Sequence, residues 1–287
     1  DAVDISTPNC VHYEIALAAA EAGKPYAVEK PITMTAAEAD RLAAVTKEKG
    51  VQSMVCFSYR FKAAARYARD LVERGMIGDI YHVDMQYYQA WGLPHCNTPL
   101  VWRFEKQYTG SGALGDLGSH ALDLVRFVTG KDYRCVVSHA GTFVHEREKL
   151  DGSGMGKVDV DDFANYFAEM DGGTAATFRI TRFGYGRGNY QTMEIYGSRG
   201  AIQYSLDHTP DADEIEICIG EANAEAHVFT KLPIPAKFKV DQMQSFADLL
   251  NGKADGKAAT IEDGRVNQHV MDAVLRSAET GAWETID

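Results

Sequence analysis

The sequence predicts an α/β chain in two parts. The end of a parallel α/β domain runs to residue 57, and an α+β domain built on a large, mainly antiparallel open sheet follows. Three observations carry this. Short apolar runs alternate with helix-period segments over 1–57, the pattern of parallel strands joined by helical crossovers. From residue 79 the apolar period drops to two and recurs in long segments separated by turn signals. Helix-period stretches at 115–129, 239–251 and 262–280 flank those segments.

In order, Val3-Asp4-Ile5 reads as a buried strand entering the turn Ser6-Thr7-Pro8-Asn9. Ile15, Ala18, Ala19 and Ala22 recur at helical spacing, and Gly23 stops that helix. A second apolar strand ends in Val28-Glu29-Lys30-Pro31. A lysine at the carboxyl end of a parallel strand stands at the crevice where open α/β sheets hold ligands. Thr35, with Glu38 three residues on, forms a capping box for a helix that runs to Lys49 and ends at Gly50. Val51 to Phe57 is a third strand. Residues 58–75 open with Ser58-Tyr59-Arg60-Phe61 and continue as a helix to Gly75. Asp79 to Trp91 then alternates, as do 134–145, 161–170, 173–183, 190–206 and 213–220. Asp171-Gly172-Gly173 and Gly197-Ser198-Arg199-Gly200 supply turns. The glycine-rich piece 150–157 reads as a mobile surface loop.

Composition narrows the function classes. A length of 287 residues allows one large domain or two ordinary ones. A net charge of -12 repels phosphate backbones, so nucleic acid is not an expected partner. No apolar run approaches the roughly 20 residues of a membrane span, so no membrane partner is expected. Cys10, Cys56, Cys96, Cys135 and Cys218 show no regular spacing. They read as reduced thiols of a cytoplasmic protein, not a disulfide frame or a metal site. The chain opens inside an apparent strand without Met or a basic leader, so the expectation is that it starts partway through a domain.

The densest polar cluster lies in Gly112-Ala113-Leu114-Gly115-Asp116-Leu117-Gly118-Ser119-His120. On a helix, Asp116 and His120 share a face at i and i+4, with Asp123 on the same side. A carboxylate one turn from an imidazole fixes its tautomer and raises its basicity, as a general base requires. A surface ion pair and half of a metal site are the competing readings. Gly110-Ser111-Gly112-Ala113-Leu114-Gly115 is a literal G-x-G-x-x-G. No buried strand precedes it and no crossover follows, so it reads as tight backbone packing, not a dinucleotide loop. Tyr59-Arg60 and Trp102-Arg103 suit anion binding or plain ion pairs. The stretch from Arg182 to Tyr190 is either a glycine-rich hairpin or a loop reaching a substrate.

DISTPNxxHxxIALAAAEAGK, EKP, GxLGDLGSHALDL and MEIYGSRGAI, in this order, resemble the Gfo/Idh/MocA oxidoreductases over the whole chain. The resemblance implies the remaining half of a Rossmann NAD(P)-binding domain over 1–57 and a substrate and oligomerisation domain over 58–287. It implies NAD or NADP as cofactor and a hydride transfer at a secondary alcohol of a sugar, cyclitol or glycoside. Lys30, Asp116 and His120 would be catalytic, with His120 as proton acceptor and Asp116 orienting it. Ser6, Thr7, Pro8, Asn9, His12, Glu29, Pro31, Trp102 and Arg103 would contact the cofactor. Lys30, Tyr59, Arg60, Asp116 and His120 would contact a small sugar or polyol. A homodimer or homotetramer joined through the open sheet is implied as well. The family's G-x-G-x-x-G loop precedes the DISTPN strand and is absent from this sequence, a gap of roughly two βαβ units at about 30 residues each. Two further readings stand beside the dehydrogenase: an NAD-dependent glycosidase of the same family, and a non-catalytic binding or assembly subunit.

Overall fold

The computed structural model describes residues 1–207 and 213–286. Val3–Ile5 (β1), Tyr26–Val28 (β2) and Ser53–Val55 (β3) form a parallel sheet in that order. His12–Glu21 (α1) and Ala36–Glu48 (α2) are the crossovers. They turn small residues inward: Ala16, Ala20 and Ala39 are fully buried, beside Leu42. β2 is buried along its whole length, as expected of a strand covered on both faces. The capping box at α2 is half formed. Thr35 Oγ1 accepts the Glu38 N–H, but the Glu38 carboxylate turns to the N–H of Met34 at 2.9 Å instead of that of Thr35.

The single helix expected over 58–75 is interrupted. Ser58–Phe61 makes one 3-10 turn, Lys62 is extended, and Ala63–Glu73 (α3) begins only then. Two groups hold the break: the Arg60 side chain turns into the interior, and the Asp213 carboxylate accepts the Ala64 N–H at 2.6 Å.

Ile80–Tyr88 (β4) enters a nine-stranded sheet, and a short helix, Lys106–Thr109 (α4), follows it. Leu114–Gly118 is a π-helical turn that runs into Ser119–Thr129 (α5). Next come Tyr133–Gly141 (β5), Glu146–Glu148 (β6), Met155–Lys157 (β7), Phe163–Met170 (β8) and Thr174–Thr181 (β9). Tyr190–Gly197 (β10), Gly200–Leu206 (β11) and Asp213–Ile219 (β12) continue the sheet. The chain ends with Glu221–Ala226 (α6), Thr230–Lys231 (β13), Gln242–Leu250 (α7), Ile261–Thr280 (α8) and Glu284–Thr285 (β14). The strand order is β13-β12-β11-β10-β4-β9-β8-β5-β14, and only β4 with β9 is parallel. The stretch 150–157, expected as a loop, is half ordered, since Met155–Lys157 pairs with Glu146–Glu148.

Helices cover one face of the large sheet: α8 on β5, α5 on β4, and α3 on β11 and β12. Leu114, Leu117, Leu122 and Val125 meet Met85, Tyr166, Phe178 and Tyr204 there. The other face leaves Tyr81 and Phe167 exposed. The chain then returns to the parallel sheet. Phe246 of α7 packs on Ala27, Met54 and Cys56, and Ala259 and Ile261 join Val28 and Val55. Lys30, just past the carboxyl end of β2, meets the π turn that carries Asp116. All five cysteines are free thiols. No helix among the described residues is long and apolar enough to cross a membrane.

Candidate active site

The turn after β2 places Lys30, whose bond to Pro31 is cis. Lys30 Nζ donates to the Asp116 main-chain oxygen at 2.6 Å and to Asp116 Oδ1 at 3.2 Å. Asp116 is presented by the π turn, and glycines make that turn possible. A Cβ on Gly112 would lie 1.8 Å from the Asp161 carbonyl oxygen. The close approach lets the Asp161 carboxylate accept the Gly112 and Leu114 N–H groups at 2.6 and 2.7 Å, while its carbonyl accepts that of Ala113 at 2.8 Å. The literal G-x-G-x-x-G is therefore spent on close packing and on a cap for the helix.

Burial pushes the Asp116 carboxyl up, but Lys30, Arg182 and Arg103 outweigh burial and hold it well below the usual carboxylate range. The carboxylate does not orient His120, contrary to the expectation from spacing. Its side chain serves Lys30, and His120 Nδ1 is buried without a partner among the described residues. Burial, and then the Lys30 charge, push the His120 pKa well below the ordinary imidazole value, and Asp116 opposes them in part. His120 is thus a neutral imidazole, the protonation state a general base needs. Asp123 faces elsewhere. It receives Arg60 Nε at 2.8 Å and Nη2 at 2.6 Å, and Arg60 Nη2 also lies 3.3 Å from Asp263. Arg60, expected as a substrate contact, is a buried cation that ties the 3-10 turn Ser58–Phe61 to α5 and α8.

Tyr59, expected as a substrate contact, packs against His120. Its ring meets His120 edge-on at 4.8 Å between centroids. Its hydroxyl is 2.6 Å from that of Tyr87 and donates to Asn189 Oδ1 at 3.0 Å. Tyr87 OH and Gln89 Nε2 also donate to Asn189 Oδ1, at 2.7 and 3.1 Å. Trp91 Nε1 donates to Gln89 Oε1 at 2.7 Å. Asn189 Oδ1 is thereby saturated, and Nδ2 has no acceptor among the described residues. Reasoning from the sequence misses Tyr87, Gln89, Asn189 and Arg182. The only pointer is the glycine-rich stretch from Arg182 to Tyr190, left undecided above.

Beside Lys30 and Asp116 lies a cleft of about 290 Å³. Ser6, Thr7, Pro8 and Asn9 form one wall, with Glu29 and Pro31 next to Lys30. Trp102, Arg103 and Thr109 close the opposite side. Arg103 stacks on Trp102, with Cζ 4.3 Å from the ring centroid. Asn9 Nδ2 donates to the Thr109 carbonyl at 3.1 Å and ties the two walls together. His12 lies beneath the cleft with its ring nitrogens 2.8 Å from the Pro31 and Thr7 carbonyls. One of these contacts is an N–H donated to a carbonyl, and the ring as a whole braces this wall of the cleft. The cleft suits a nicotinamide end on a structural ground. Thr7 Oγ1 is buried in this wall with no partner among the described residues, a polar group open to one. Among the described residues no group of three or more His, Cys, Asp and Glu is placed to hold a metal ion.

Comparison with known proteins places this geometry. Residues 1–57 match the oxidoreductase family with an NAD-binding Rossmann fold, and residues 65–203 match the GFO/IDH/MocA C-terminal domain. Levoglucosan dehydrogenase of Pseudarthrobacter phenanthrenivorans is 32% identical over 98% of this chain and 78% of its own length. The 1,5-anhydro-D-fructose reductase of Ensifer adhaerens is 28% identical over 100% of this chain and 80% of its own. A solved structure of levoglucosan dehydrogenase in complex with NADH superposes with a TM-score of 0.88 at 31% identity, covering 100% of this chain and 80% of that one.

Proposed function

Because the chain belongs to the Gfo/Idh/MocA family of oxidoreductases, as an NAD(P)-dependent dehydrogenase, we propose that its substrate is a sugar, cyclitol or glycoside oxidised at a secondary hydroxyl. The observation that carries this reading is one convergence. The fixed ammonium of Lys30, at the cleft, acts on a neutral His120, and the His120 ring packs on Tyr59, whose hydroxyl joins the Tyr87–Gln89–Asn189 group at a second cavity lined by Tyr59 and Asn189. Several donors and acceptors held rigidly are what recognition of a polyhydroxylated ring requires. Relatives named for levoglucosan and 1,5-anhydro-D-fructose support the same class.

When bound, the nicotinamide supplies a hydride acceptor. The protein's own groups do the rest. His120 takes the hydroxyl proton. The Lys30 ammonium stabilises the charge that develops on the oxygen, and its bonds to Asp116 keep it in place. Thr7 and its neighbours hold the cofactor's reactive end against that pair. Residues 1–57 form the cofactor side and 58–287 the substrate side, with α7 and α8 packing back on the first. The exposed sheet face around Phe167 and Tyr81 suits a homo-oligomer contact, and five free thiols suit the cytosol.

The test is reduction of NAD or NADP, followed by absorbance, across a panel of sugars, cyclitols and glycosides. Sustained reduction with an oxidised product supports the reading. Glycoside cleavage without net reduction would replace it with a glycosidase, and failure to bind either nucleotide would replace it with a binding subunit.

A further inference from the structure

Arg182 stands at the end of β9 with no exposed surface. Its Cζ lies 4.7 Å from the Trp91 ring centroid and 5.8 Å from that of Phe104. Nη1 donates to the Arg103 carbonyl at 3.2 Å, while Nε and Nη2 have no hydrogen-bond partner among the described residues. Among the described residues the one carboxylate in ion-pair range is Asp116, whose Oδ2 is 3.6 Å from Nη2. A buried guanidinium with two idle nitrogens is costly, and a Met side chain would fill the same slot without that cost. Packing alone therefore does not account for the charge.

The surroundings do. Three cations face Asp116 from three elements: Lys30 after β2, Arg103 from the 102–104 turn, and Arg182 from β9. The other titratable groups around it are His120 on its own helix, Tyr59 and Tyr87. Arg182 also faces Asp161, Asp162, Arg103 and Arg147. The Asp161 carboxylate is already spent on the Gly112 and Leu114 N–H groups, and Asp162 Oδ2 on those of Phe143 and Val144.

We propose that Arg182 is a positioning residue that holds the second oxygen of Asp116, so that this carboxylate serves Lys30 and leaves His120 to act as an unpaired base. The roles of Lys30 and His120 here rest on the function proposed above, whereas the coupling of Arg182 to Asp116 does not. Without Arg182, Oδ2 is free to turn to the imidazole, and a carboxylate–imidazole bond raises the imidazole pKa.

The experiment is an NMR titration of the His120 ring, assigned with His120→Gln, in the unsubstituted protein, Arg182→Met, Asp116→Asn and the double variant. Arg182→Met should raise the His120 titration by about one pH unit or more. In the Asp116→Asn background the same change should add nothing, because the effect passes through that carboxylate. Arg182→Lys, which keeps the charge, should hold the His120 titration near its original position. If Arg182→Met does not fold, Arg182→Lys and Arg182→Gln carry the comparison. With an active substrate in hand, kcat should fall at least about tenfold with KM nearly constant, and the acid limb of kcat/KM should follow the imidazole. An unmoved imidazole in Arg182→Met, or an equal shift in the Asp116→Asn background, overturns the proposal. If no sugar is oxidised, the function above fails while the titrations still decide the coupling.

Discussion

Lys30 reaches across the domain boundary to Asp116 and donates to both its main-chain oxygen and its carboxylate, at 2.6 and 3.2 Å. A main-chain acceptor cannot swing away, so the ammonium is fixed by the fold of the π turn and not by a mobile side chain alone. Fixed charge costs no reorganisation when an oxyanion forms. Lys30→Met is expected to lower kcat by about 100- to 1000-fold and also to lower the denaturation midpoint at neutral pH, because Asp116 loses the first of the cations that keep it charged. Turnover close to that of the unsubstituted enzyme would remove Lys30 from the mechanism.

His120 gives a pH signature in two measurements. Its folded pKa lies below the unfolded value of about 6.5, so the folded state binds fewer protons as pH falls. The associated stability is complete above that value and is lost as pH drops through it toward the folded pKa. The denaturation midpoint should therefore fall between pH 7.5 and 5 by more in the native protein than in His120→Gln. Across the same range kcat/KM should hold down to a pH well below the usual imidazole value, because the base stays neutral.

Arg60 tests the corrected assignment. Breaking its buried pair with Asp123 by Arg60→Met should cost about 3–5 kcal/mol in urea unfolding, by leaving a buried carboxylate without its cation. KM of the folded fraction should stay the same. A raised KM with unchanged stability would restore Arg60 as a substrate contact.

Gly112→Ala should be among the most damaging single-methyl changes in the chain. The added carbon would meet the Asp161 backbone, which is itself pinned to the same turn. A loss above about 4 kcal/mol is expected, and much of the protein should then fail to fold. Alanine at Gly50 meets nothing within 4 Å and bears only the cost of positive φ, so it serves as the control.

Tyr59→Phe removes one donor from the set converging on Asn189 Oδ1. The ring still packs on His120, so chemistry should survive. KM for the best sugar is expected to rise by about fivefold, the worth of one hydrogen bond near 1 kcal/mol, with kcat within a factor of two or so. An equal fall in kcat would place Tyr59 in the chemical step instead.

The parts of the site that are legible in the sequence are those built from one continuous run. Ser6 to Asn9 follow a strand, Glu29-Lys30-Pro31 follow another, and the cleft residues Trp102 and Arg103 sit together on one turn. Arg60 is different. Its partners Asp123 and Asp263 lie on α5 and α8, and the three meet only after those helices pack. Arg182, Gln89 and Asn189 likewise depend on where β4, β9 and β10 lie side by side, which no local period states. The Asp116–His120 spacing reads as one face of a helix, but Asp116 sits in a π turn, and spacing alone does not reveal that Lys30 and Arg182 reach its carboxylate. The helix breaks at Lys62 for a similar reason, since the Asp213 side chain that caps the next turn comes from β12.

The place of β4 between β9 and β10 bears on how the protein is made. β4 leaves the ribosome long before either neighbour exists, because residues 89–173 must be synthesised before β9 can begin. Until then Val83, Met85 and Tyr87 form the inner face of a strand with both edges open. Pairing it with β9 closes a long loop, and such non-local pairing is slow. Until β9 and β10 arrive, β4 is a strand with both edges open to pairing with another chain.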